Sequence, residues 1–379
     1  MHILADQDIP AVRECFAGMG ELRLFGGREL RRADLGSAEV LLVRSVTPVS
    51  APLIVGSQVR FVGTATAGVD HVDTDALAAA GIAFSDAAGC NARAVAEHVV
   101  TCLYHYAARR QCHVRRLTVG IIGHGHVGSA LATLLGRLGI ASVSHDPPRA
   151  ARLPAWTSAA LEQVLACDVV TLHVPLVSAG RWPTVNLFDA AAIAALRPGA
   201  LVINAARGGV LDETALVARL VGADRVYAAI DCWSNEPVIN LDLARRAWFA
   251  TPHIAGYTRE ARLQATRLLH AAVRRWSGQV SASAPAPALP SMPLRPHGQG
   301  ADITDMLCTL HPLAAHDARL RAVLGLPAAA RGAHFDDVRR RFGMRREFGA
   351  YSVACVGRAP DTVAELTALG LRCVTDASD

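Results

Sequence analysis

A glycine-rich hexapeptide directly after an apolar run is the feature that most restricts how this 379-residue chain can fold. The hexapeptide is Gly123-His124-Gly125-His126-Val127-Gly128, and the run before it is Leu117-Thr118-Val119-Gly120-Ile121-Ile122. An amphipathic segment at 128–138 and a second apolar run at 141–144 follow. The order strand, Gly-x-Gly-x-x-Gly, helix, strand is typical of a βαβ unit that binds a dinucleotide at its first turn.

Each glycine of the hexapeptide is expected to have a separate purpose. Gly123 permits the tight bend, Gly125 lets backbone approach a pyrophosphate, and Gly128 allows the helix to pack closely on the sheet. The amino end of that helix then offers unpaired N–H groups to phosphate.

An acidic residue after the second strand predicts which dinucleotide is bound. Asp146 lies 21 residues beyond Gly125, where a carboxylate accepts hydrogen bonds from the ribose hydroxyls and repels a 2′-phosphate. We therefore predict NAD rather than NADP. Arg149 and Arg152 are the nearby residues that would favour the opposite choice.

Short β-branched runs alternate with alanine-rich segments along most of the chain, which predicts a parallel α/β fold. Strands are predicted at 1–5, 40–43, 59–63 and 82–84, and then at 117–122, 141–144, 169–173, 200–204 and 226–230. Helices are predicted near 10–18, 75–80, 92–109, 128–138 and 259–276.

Changes in composition predict the domain boundaries. Residues 1–94 are expected to form a flavodoxin-like substrate domain, completed by a returning helix within 257–280, and residues 95–256 a Rossmann-type NAD-binding domain. The Ser, Ala and Pro content of 281–296 is typical of a linker. Residues 297–379, with a strand near 351–356, then predict a small C-terminal α/β domain.

The basic residues exclude several chemistries, because all 38 are arginine. A chain without lysine has no Schiff-base lysine, no pyridoxal-phosphate attachment and no Gly-Lys-Ser/Thr phosphate loop. The net charge of +5 is spread in short arginine pairs rather than in one patch interleaved with aromatic residues. We therefore expect acidic small molecules as ligands and no nucleic-acid partner.

The cysteines and the hydropathy pattern predict a cytoplasmic protein. The nine cysteines are odd in number, are scattered and contain no Cys-x-x-Cys pair, so neither a disulfide framework nor a metal site is expected. The first residues lack the basic end and apolar core of a signal peptide. No uninterrupted apolar run reaches the roughly 18 to 20 residues that span a bilayer, so no membrane partner is expected.

Three reactive side chains follow predicted strands after the glycine motif. Arg207 follows the strand at 200–204, Glu236 lies in the segment after 226–230, and His253 lies in Thr251-Pro252-His253-Ile254-Ala255-Gly256-Tyr257. Each has an ordinary alternative as a solvated charge, a turn residue or a packed polar side chain. In open α/β sheets, however, ligands bind at the carboxyl ends of the strands, so the ordered set predicts a site.

This set of motifs resembles the D-isomer-specific 2-hydroxyacid dehydrogenases. The resemblance is carried by the segments 123–128, 204–208, 231–237 and 252–256. The resemblance extends from end to end of the chain. It includes the further segments Val43-Arg44-Ser45-Val46-Thr47, residues 61–68, Gly89-Cys90-Asn91-Ala92, Asp146-Pro147-Pro148-Arg149-Ala150 and residues 253–258.

The resemblance implies roles for individual residues. His253 would be the general base, Glu236 its partner, and Arg207 the group that binds the substrate carboxylate. The implied cofactor contacts, beyond the three glycines of the motif, are Asp146, Val174, Ala206, Arg207, Asp231 and Gly256. The implied substrate contacts are Ser45, Thr66 and Tyr257, and no metal is implied.

One position departs from the family pattern. Val174 stands where a small hydroxyl residue is common, and the loss of one hydrogen bond there would cost roughly 0.5 to 1.5 kcal/mol.

The implied function is the NAD-dependent oxidation of a phosphorylated hydroxy acid, 4-phosphoerythronate, by a homodimer joined partly through residues 297–379. Because Arg207 can bind only one anionic end, the phosphate needs other donors. Arg44, Ser45, Thr64 and Thr66 follow successive strands and are the candidates. The alternatives are a dehydrogenase of another 2-hydroxy acid, such as 3-phosphoglycerate or glyoxylate/hydroxypyruvate, and a non-catalytic NAD-sensing protein.

Overall fold

The computed structural model describes residues 1–279, 287–294 and 302–374 of the chain. Two compact units emerge, one made of Met1–Asn91 with Thr258–Pro290 and the other of Ala92–Tyr257 with Ser291–Asp379. No helix within the described ranges has both the length and the apolar character needed to cross a membrane.

The described residues form fourteen strands, which we number in chain order: β1 (His2–Asp6), β2 (Glu21–Phe25), β3 (Val40–Val43), β4 (Phe61–Thr64), β5 (Ala83–Ser85), β6 (Thr118–Ile122), β7 (Ala141–His145), β8 (Val169–Leu172), β9 (Leu201–Asn204), β10 (Tyr227–Ile230), β11 (Phe249–Ala250), β12 (Met292–Leu294), β13 (Tyr351–Ala354) and β14 (Arg372–Val374).

The α-helices of the same residues are α1 (Val12–Phe16), α2 (Arg32–Leu35), α3 (Ala51–Ile54), α4 (Thr74–Ala79), α5 (Ala92–Arg109), α6 (His126–Leu138), α7 (Pro147–Arg152), α8 (Leu161–Leu165), α9 (Ala190–Ala194), α10 (Glu213–Arg219), α11 (Leu241–Arg246), α12 (Arg259–Trp276), α13 (Ile303–Leu310), α14 (Leu313–Arg321), α15 (Ala328–Arg340) and α16 (Pro360–Leu369). Short 3₁₀ helices lie at Ala17–Met19, Val114–Arg116, Gly208–Val210, Ala322–Gly325 and Phe348–Ala350.

The first unit is built on a five-stranded parallel sheet in the order β2-β1-β3-β4-β5. Four of its strands were predicted from the sequence and are confirmed within two residues. The strand β2 was missed. It lies at the edge of the sheet, where Glu21 is exposed and Leu22 is only partly buried, so it lacks the continuous apolar run of a central strand.

The predicted helix at 259–276 is confirmed with the same bounds, as α12. Its Leu269 and Val273 are fully buried against Ile3, Leu42 and Phe61 on one face of the five-stranded sheet. A second cluster of buried aliphatic residues covers the opposite face. The returning segment therefore supplies part of the core of the first unit.

The second unit contains a six-stranded parallel sheet in the order β11-β10-β9-β8-β6-β7. The five strands predicted for this part of the chain are confirmed, and the two-residue strand β11 was missed. Because β6 lies between β7 and β8, and the chain crosses from β7 to β8 on the other side of β6, the strand order reverses beside β6. Ligands of open α/β sheets bind at such a switch point, outside the carboxyl ends of the strands.

Residues after 302 share the cores of the second unit. Leu307, Phe348 and Leu366 are fully buried in a cluster with Leu103 of α5 and Leu135 of α6. Leu320 and Phe335, from α14 and α15, lie in the cluster on the other face of the six-stranded sheet. Whether residues 297–379 constitute a domain of their own therefore stays a prediction.

A buried ion pair joins α5 to the C-terminal segment. Both oxygens of Glu97 are used, since Oε2 accepts from Nη1 of Arg345 at 2.8 Å and Oε1 accepts from Nε of Arg93 and the Phe348 N–H at 2.8 and 2.9 Å. Neither Glu97 nor Arg345 is exposed by more than 7%. Removing one partner of such a pair leaves a buried charge uncompensated, which costs about 3 to 5 kcal/mol.

A third, three-stranded sheet has the order β12-β13-β14. Its strand β12 lies inside the segment predicted as a linker, of which residues 281–286 and 295–296 lie outside the described residues. Pro293 cannot donate a backbone hydrogen bond, which suits an edge strand and disguised the strand in the sequence.

Candidate active site

The glycine hexapeptide connects β6 to α6 as the sequence predicted. Gly123 has a φ of 91°, and a Cβ on it would lie 2.7 Å from the carbonyl oxygen of His173. A Cβ on Gly128 would lie 2.0 Å from the carbonyl oxygen of Gly123. Both distances are too short for any side chain, so these two glycines allow the turn to close on itself and on the neighbouring strand.

Gly125 differs, because a Cβ placed on it meets no atom within 4 Å. It is the N-cap residue of α6 and has no side chain to accept a hydrogen bond from the first turn of that helix. The unpaired N–H groups and the positive end of the helix dipole are therefore directed at open space beside Gly125. These residues fit the pyrophosphate of a dinucleotide.

Asp146 is held by the backbone on both carboxylate oxygens. Oδ2 accepts the N–H of His124 at 2.7 Å, and Oδ1 accepts the N–H of Arg149 at 2.8 Å, which caps α7. A carboxylate has about four lone-pair sites, so two remain for ribose hydroxyls. The sequence identified Asp146 by its spacing but did not predict that it also fixes the glycine turn.

The two arginines that would favour a 2′-phosphate, Arg149 and Arg152, differ in their contacts and exposure. Nη1 of Arg149 donates to the carbonyl oxygen of His124 at 2.8 Å, and its guanidinium lies 5.4 Å from the ring centre of Trp156. Arg152 is exposed at the end of α7. Burial, followed by the charge of Arg149, lowers the pKa of His124, while Asp146 acts in the opposite sense.

Val174 and Ala206 lie after two adjacent strands of the sheet. Val174 follows β8, and its Cγ1 would lie 2.8 Å from a Cβ on Gly123. Ala206 is buried after β9, and its N–H donates to Oδ1 of Asn204 at 3.2 Å. Both therefore lie at the carboxyl edge of the sheet, Val174 on the glycine turn itself.

Asn204 and Gly208 position the loop that carries Arg207. The amide nitrogen of Asn204 donates to the carbonyl oxygens of Arg207 at 3.0 Å and Cys232 at 3.2 Å, so one side chain joins the loops after β9 and β10. A Cβ on Gly208 would lie 2.0 Å from the backbone of Trp233. Nη1 of Arg207 donates to the carbonyl oxygen of Ala206 at 2.8 Å.

His253 and Glu236 form the pair predicted from the sequence. Nδ1 of His253 lies 2.9 Å from Oε2 of Glu236 and 3.1 Å from Oε1, and their side chains are 29% and 20% exposed. Oε1 of Glu236 also accepts the N–H of Trp233 at 2.9 Å, which fixes the carboxylate. His253 has a φ of 56°, a region that is rare for residues other than glycine and frequent at active sites.

Asp231 supports the loop that presents His253. Oδ1 accepts from Oγ1 of Thr251 at 2.7 Å and from the Ile254 N–H at 2.8 Å, while Oδ2 accepts the Ala255 N–H at 2.9 Å. Burial works to raise the pKa of Asp231, but His98, His253 and these hydrogen bonds hold it below its ordinary value. Thr251 carries no motif of its own and was missed. The predicted contact of Asp231 with a cofactor stays a prediction.

Cys232 lies beside the pair, with its Sγ and the ligand atoms of Glu236 and His253 all within 4.8 Å of one another. Burial, followed by the charges of Asp231 and Glu236, raises the pKa of the Cys232 thiol well above its ordinary value. A metal needs the thiolate, and Glu236 and His253 are already bonded to each other. The expected absence of a metal stays a prediction.

The substrate-side residues of the first unit lie after neighbouring strands. Ser45 is exposed just beyond β3, and Oγ1 of Thr66, just beyond β4, lies 2.8 Å from Oγ1 of Thr64 and donates to the Gly68 carbonyl at 2.8 Å. Since Val43 and Thr64 are register partners, Ser45 and Thr66 follow the same edge of the sheet.

Arg44, expected among the phosphate donors, is occupied by two carboxylates. Its Nε donates to Asp6 at 2.9 Å and its Nη2 to Asp8 at 2.5 Å. Its charge is therefore already balanced.

The remaining two predicted residues lie in the second unit at the end of the His253 loop. Gly256 and Tyr257 are partly buried, and the N–H of Tyr257 donates to the carbonyl oxygen of Ile254 at 2.8 Å. The guanidinium of Arg339, on α15, lies 5.1 Å from the ring centre of Tyr257. No sequence signal indicated Arg339.

A parallel sheet with a dinucleotide turn and a histidine–carboxylate pair after its strands defines the class of NAD-dependent oxidoreductases. The family model for "D-isomer specific 2-hydroxyacid dehydrogenase, NAD binding domain" matches residues 91–255. The predictions of the fold class, of NAD as cofactor and of the enzyme class are thereby confirmed.

Known proteins similar over nearly the whole chain narrow the class. The erythronate-4-phosphate dehydrogenase of Hahella chejuensis is 41% identical over 376 residues, which are 98% of each chain. The enzyme of that name from Pseudomonas aeruginosa is 42% identical over 366 residues, which are 95% of this chain and 96% of the relative. This chain belongs to the erythronate-4-phosphate dehydrogenases, within the D-isomer-specific 2-hydroxyacid dehydrogenase family.

A solved structure agrees with this fold. D-Lactate dehydrogenase from Aquifex aeolicus, complexed with NAD and lactic acid, matches with a TM-score of 0.59 at 20% identity, over 73% of this chain and 96% of that chain. At that identity the likeness concerns the fold alone.

Proposed function

We propose that the protein oxidises 4-phospho-D-erythronate at C2, with NAD, to 3-hydroxy-2-oxo-4-phosphooxybutanoate, a step in vitamin B6 (pyridoxal 5′-phosphate) biosynthesis. The choice of substrate is supported by the relatives that carry this activity in their names. One observation within the chain carries the chemistry, namely the 2.9 Å contact between His253 and Glu236.

His253 is the general base of the proposed reaction. Its Nδ1 is engaged by Glu236, which leaves Nε2 as the ring nitrogen that takes the proton of the C2 hydroxyl. Glu236 fixes the tautomer of His253, and its negative charge stabilises the imidazolium that forms. The carboxylate keeps its position because it accepts the Trp233 N–H. NAD, when bound, supplies the acceptor for the hydride that leaves C2.

Arg207 binds the substrate carboxylate and stabilises the C2 oxygen as it becomes a carbonyl. A guanidinium presents a planar fork of donors that matches a carboxylate, and hydrogen bonds to charged groups are the strong ones. The loop contacts from Asn204 and Gly208 hold the backbone of Arg207 in place.

NAD is proposed to bind along the carboxyl edge of the six-stranded sheet. The turn at Gly123, Gly125 and Gly128 would hold the pyrophosphate, and Asp146 the ribose hydroxyls. The further proposed contacts are those of Val174, Ala206, Arg207, Asp231 and Gly256.

For the substrate, Ser45, Thr66 and Tyr257 are proposed as additional donors. Ser45 is exposed. The hydroxyl of Thr66 donates to the Gly68 carbonyl and can exchange that hydrogen bond for one to the substrate.

The decisive test is turnover by the purified protein, followed as the appearance of reduced NAD or, with a 2-oxo acid as the final acceptor, as consumption of that acid. We expect 4-phosphoerythronate to be oxidised far better than 3-phosphoglycerate or than the hydroxy acids that correspond to glyoxylate and hydroxypyruvate. Preference for one of those acids would assign a different dehydrogenase. Binding of NAD with no turnover of any of them would support the NAD-sensing alternative.

We also propose that the protein is a homodimer joined partly through residues 297–379. In the three-stranded sheet the strands β12 and β14 are edges, Met292 of β12 is 39% exposed, and Val356, two residues beyond the central strand β13, is 72% exposed. Exposed apolar side chains near a sheet edge favour pairing with a second copy. Val356→Arg should shift the sedimenting species toward monomer, whereas Val221→Arg, at another exposed valine, should not.

The proposed location is the cytoplasm, where NAD and phosphorylated acids are available. All nine cysteines are free, as expected in a reducing compartment.

A further inference from the structure

The proposed substrate carries two anionic ends, a carboxylate and a phosphate. Arg207 provides a cation for the carboxylate. The cation that the sequence offered for the phosphate was Arg44, but Asp6 and Asp8 already neutralise it. Ser45 and Thr66 offer hydroxyls without charge. The phosphate therefore lacks a cation among the residues predicted from the sequence.

The helix α15 brings another arginine to the loops of the catalytic pair. Phe335 of α15 is 1% exposed and lies in the same buried cluster as Trp233. One turn earlier, a Cβ on Gly332 would lie 3.4 Å from Pro237, the residue after Glu236. One turn later, the guanidinium of Arg339 lies 5.1 Å from the ring centre of Tyr257. Residues three and four apart share a helix face, so this face of α15 lies along the catalytic loops.

Arg339 also differs from its neighbours in what it contacts. Arg340 and Arg341 are 73% and 80% exposed, and both pair with Asp337. Arg339 is only partly exposed, and its Nε is buried without a hydrogen-bond partner among the described residues. A buried guanidinium nitrogen without a partner is costly unless a ligand completes it.

We propose that Arg339 binds the phosphate of the substrate, so that the C-terminal segment supplies a specificity-determining residue for the reaction. The proposal rests on the proposed function. The ring of Tyr257 orients the guanidinium by a cation–π contact and leaves the N–H groups along its edge for the phosphate oxygens. Burial raises the pKa of the Cys232 thiol beside the catalytic pair, and the charges of Arg207 and Arg339 act in the opposite sense.

The test compares Arg339→Gln with Arg340→Gln, a matched change on the same helix. For 4-phosphoerythronate, Arg339→Gln should raise KM by about 10- to 100-fold, the size expected for lost charge-assisted hydrogen bonds, with a much smaller change in kcat. Its kcat/KM for erythronate without phosphate should stay within about threefold, because that substrate never used the contact. Inorganic phosphate should inhibit the unmodified protein and the Arg340→Gln protein, and inhibit Arg339→Gln far less.

An unchanged KM for 4-phosphoerythronate in Arg339→Gln would overturn the proposal, and so would equal losses for the phosphorylated and unphosphorylated substrates. If Arg339→Gln does not fold, Arg339→Lys keeps the charge but loses the fork, and an intermediate rise in KM is then expected. Phosphate binding to the unmodified protein and the two glutamine variants, measured by calorimetry, tests Arg339 even if 4-phosphoerythronate proves not to be the substrate.

Discussion

Nδ1 of His253 lies 2.9 Å from Oε2 of Glu236, and the same carboxylate accepts the N–H of Trp233. The carboxylate therefore has a fixed position from which it orients the imidazole. A histidine that acts only as the base for the hydroxyl proton of the substrate is needed for turnover and not for cofactor binding.

The first prediction concerns this pair. His253→Ala should abolish turnover while NAD affinity stays within about twofold, because the imidazole is proposed to contact substrate rather than cofactor. Glu236→Gln should lower kcat by about 10²-fold or more, since an amide holds the ring without stabilising its positive charge. Steady-state kinetics and calorimetric NAD titration measure the two effects. A Glu236→Gln protein with unchanged kcat would remove Glu236 from the mechanism.

The second prediction concerns Asp146, whose oxygens accept two backbone N–H groups beside the glycine turn. Asp146→Ala should weaken NAD binding by about 10- to 100-fold, because it removes a charged acceptor and loosens the turn. It should also narrow the gap between NAD and NADP. Asp189→Ala is the matched control, since Asp189 caps α9 by the same type of contact. Equal affinity of the unmodified protein for NAD and NADP would contradict the role of Asp146.

The third prediction concerns Gly208, where a Cβ would lie 2.0 Å from backbone atoms of Trp233. Gly208→Ala should separate the loops that carry Arg207 and Glu236, with a loss of more than about 2 kcal/mol in stability and a large fall in kcat. Gly136→Ala, on α6, meets no atom within 4 Å and should be neutral or slightly stabilising. Chemical unfolding and kinetics on both variants test this, and a Gly208→Ala protein indistinguishable from Gly136→Ala would refute it.

The sequence predicted the central strands because strands buried on both faces are continuous apolar runs, as Val40–Val43 is. The missed strands β2 and β12 lie at sheet edges and lack such a run, although the edge strands β5 and β7 were predicted. Glu21–Phe25 mixes charged with apolar residues, and Met292–Leu294 contains a proline.

Within the candidate site, the residues predicted from the sequence stand in motifs after strands, as Arg207, Glu236 and His253 do. Contacts that depend on packing between distant segments left no local signal. The position of Arg339 over Tyr257 depends on how α15 packs. The hydrogen bonds from Asn204 to the loops after β9 and β10 depend on the pairing of those two strands. Neither follows from spacing or periodicity.

The last prediction concerns a group of buried histidines in the second unit. Nδ1 of His98 lies 2.8 Å from Nε2 of His311, and the ring of His316 packs edge-on against Phe342 at 4.7 Å. Burial, followed by the charge of Arg319, lowers the pKa of His316 from 6.5 to about 4, and burial likewise lowers the pKa of His98 to about 4.

The other charges acting on His316 are those of His98 and Arg345, which also lower its pKa, and Asp231, which raises it. Below the unfolded value of 6.5 the unfolded chain takes up a proton at His316 that the folded chain refuses until about pH 4. Stability from this group is therefore complete above pH 6.5 and falls between pH 6.5 and about 4, by up to about 3 kcal/mol. His316→Phe removes the titration and keeps a ring beside Phe342, so its free energy of unfolding should fall less on going from about pH 7 to about pH 5. Urea unfolding at both pH values measures these differences, and a His316→Phe protein that loses as much stability on acidification as the unmodified protein would exclude His316 as a source of the acid sensitivity.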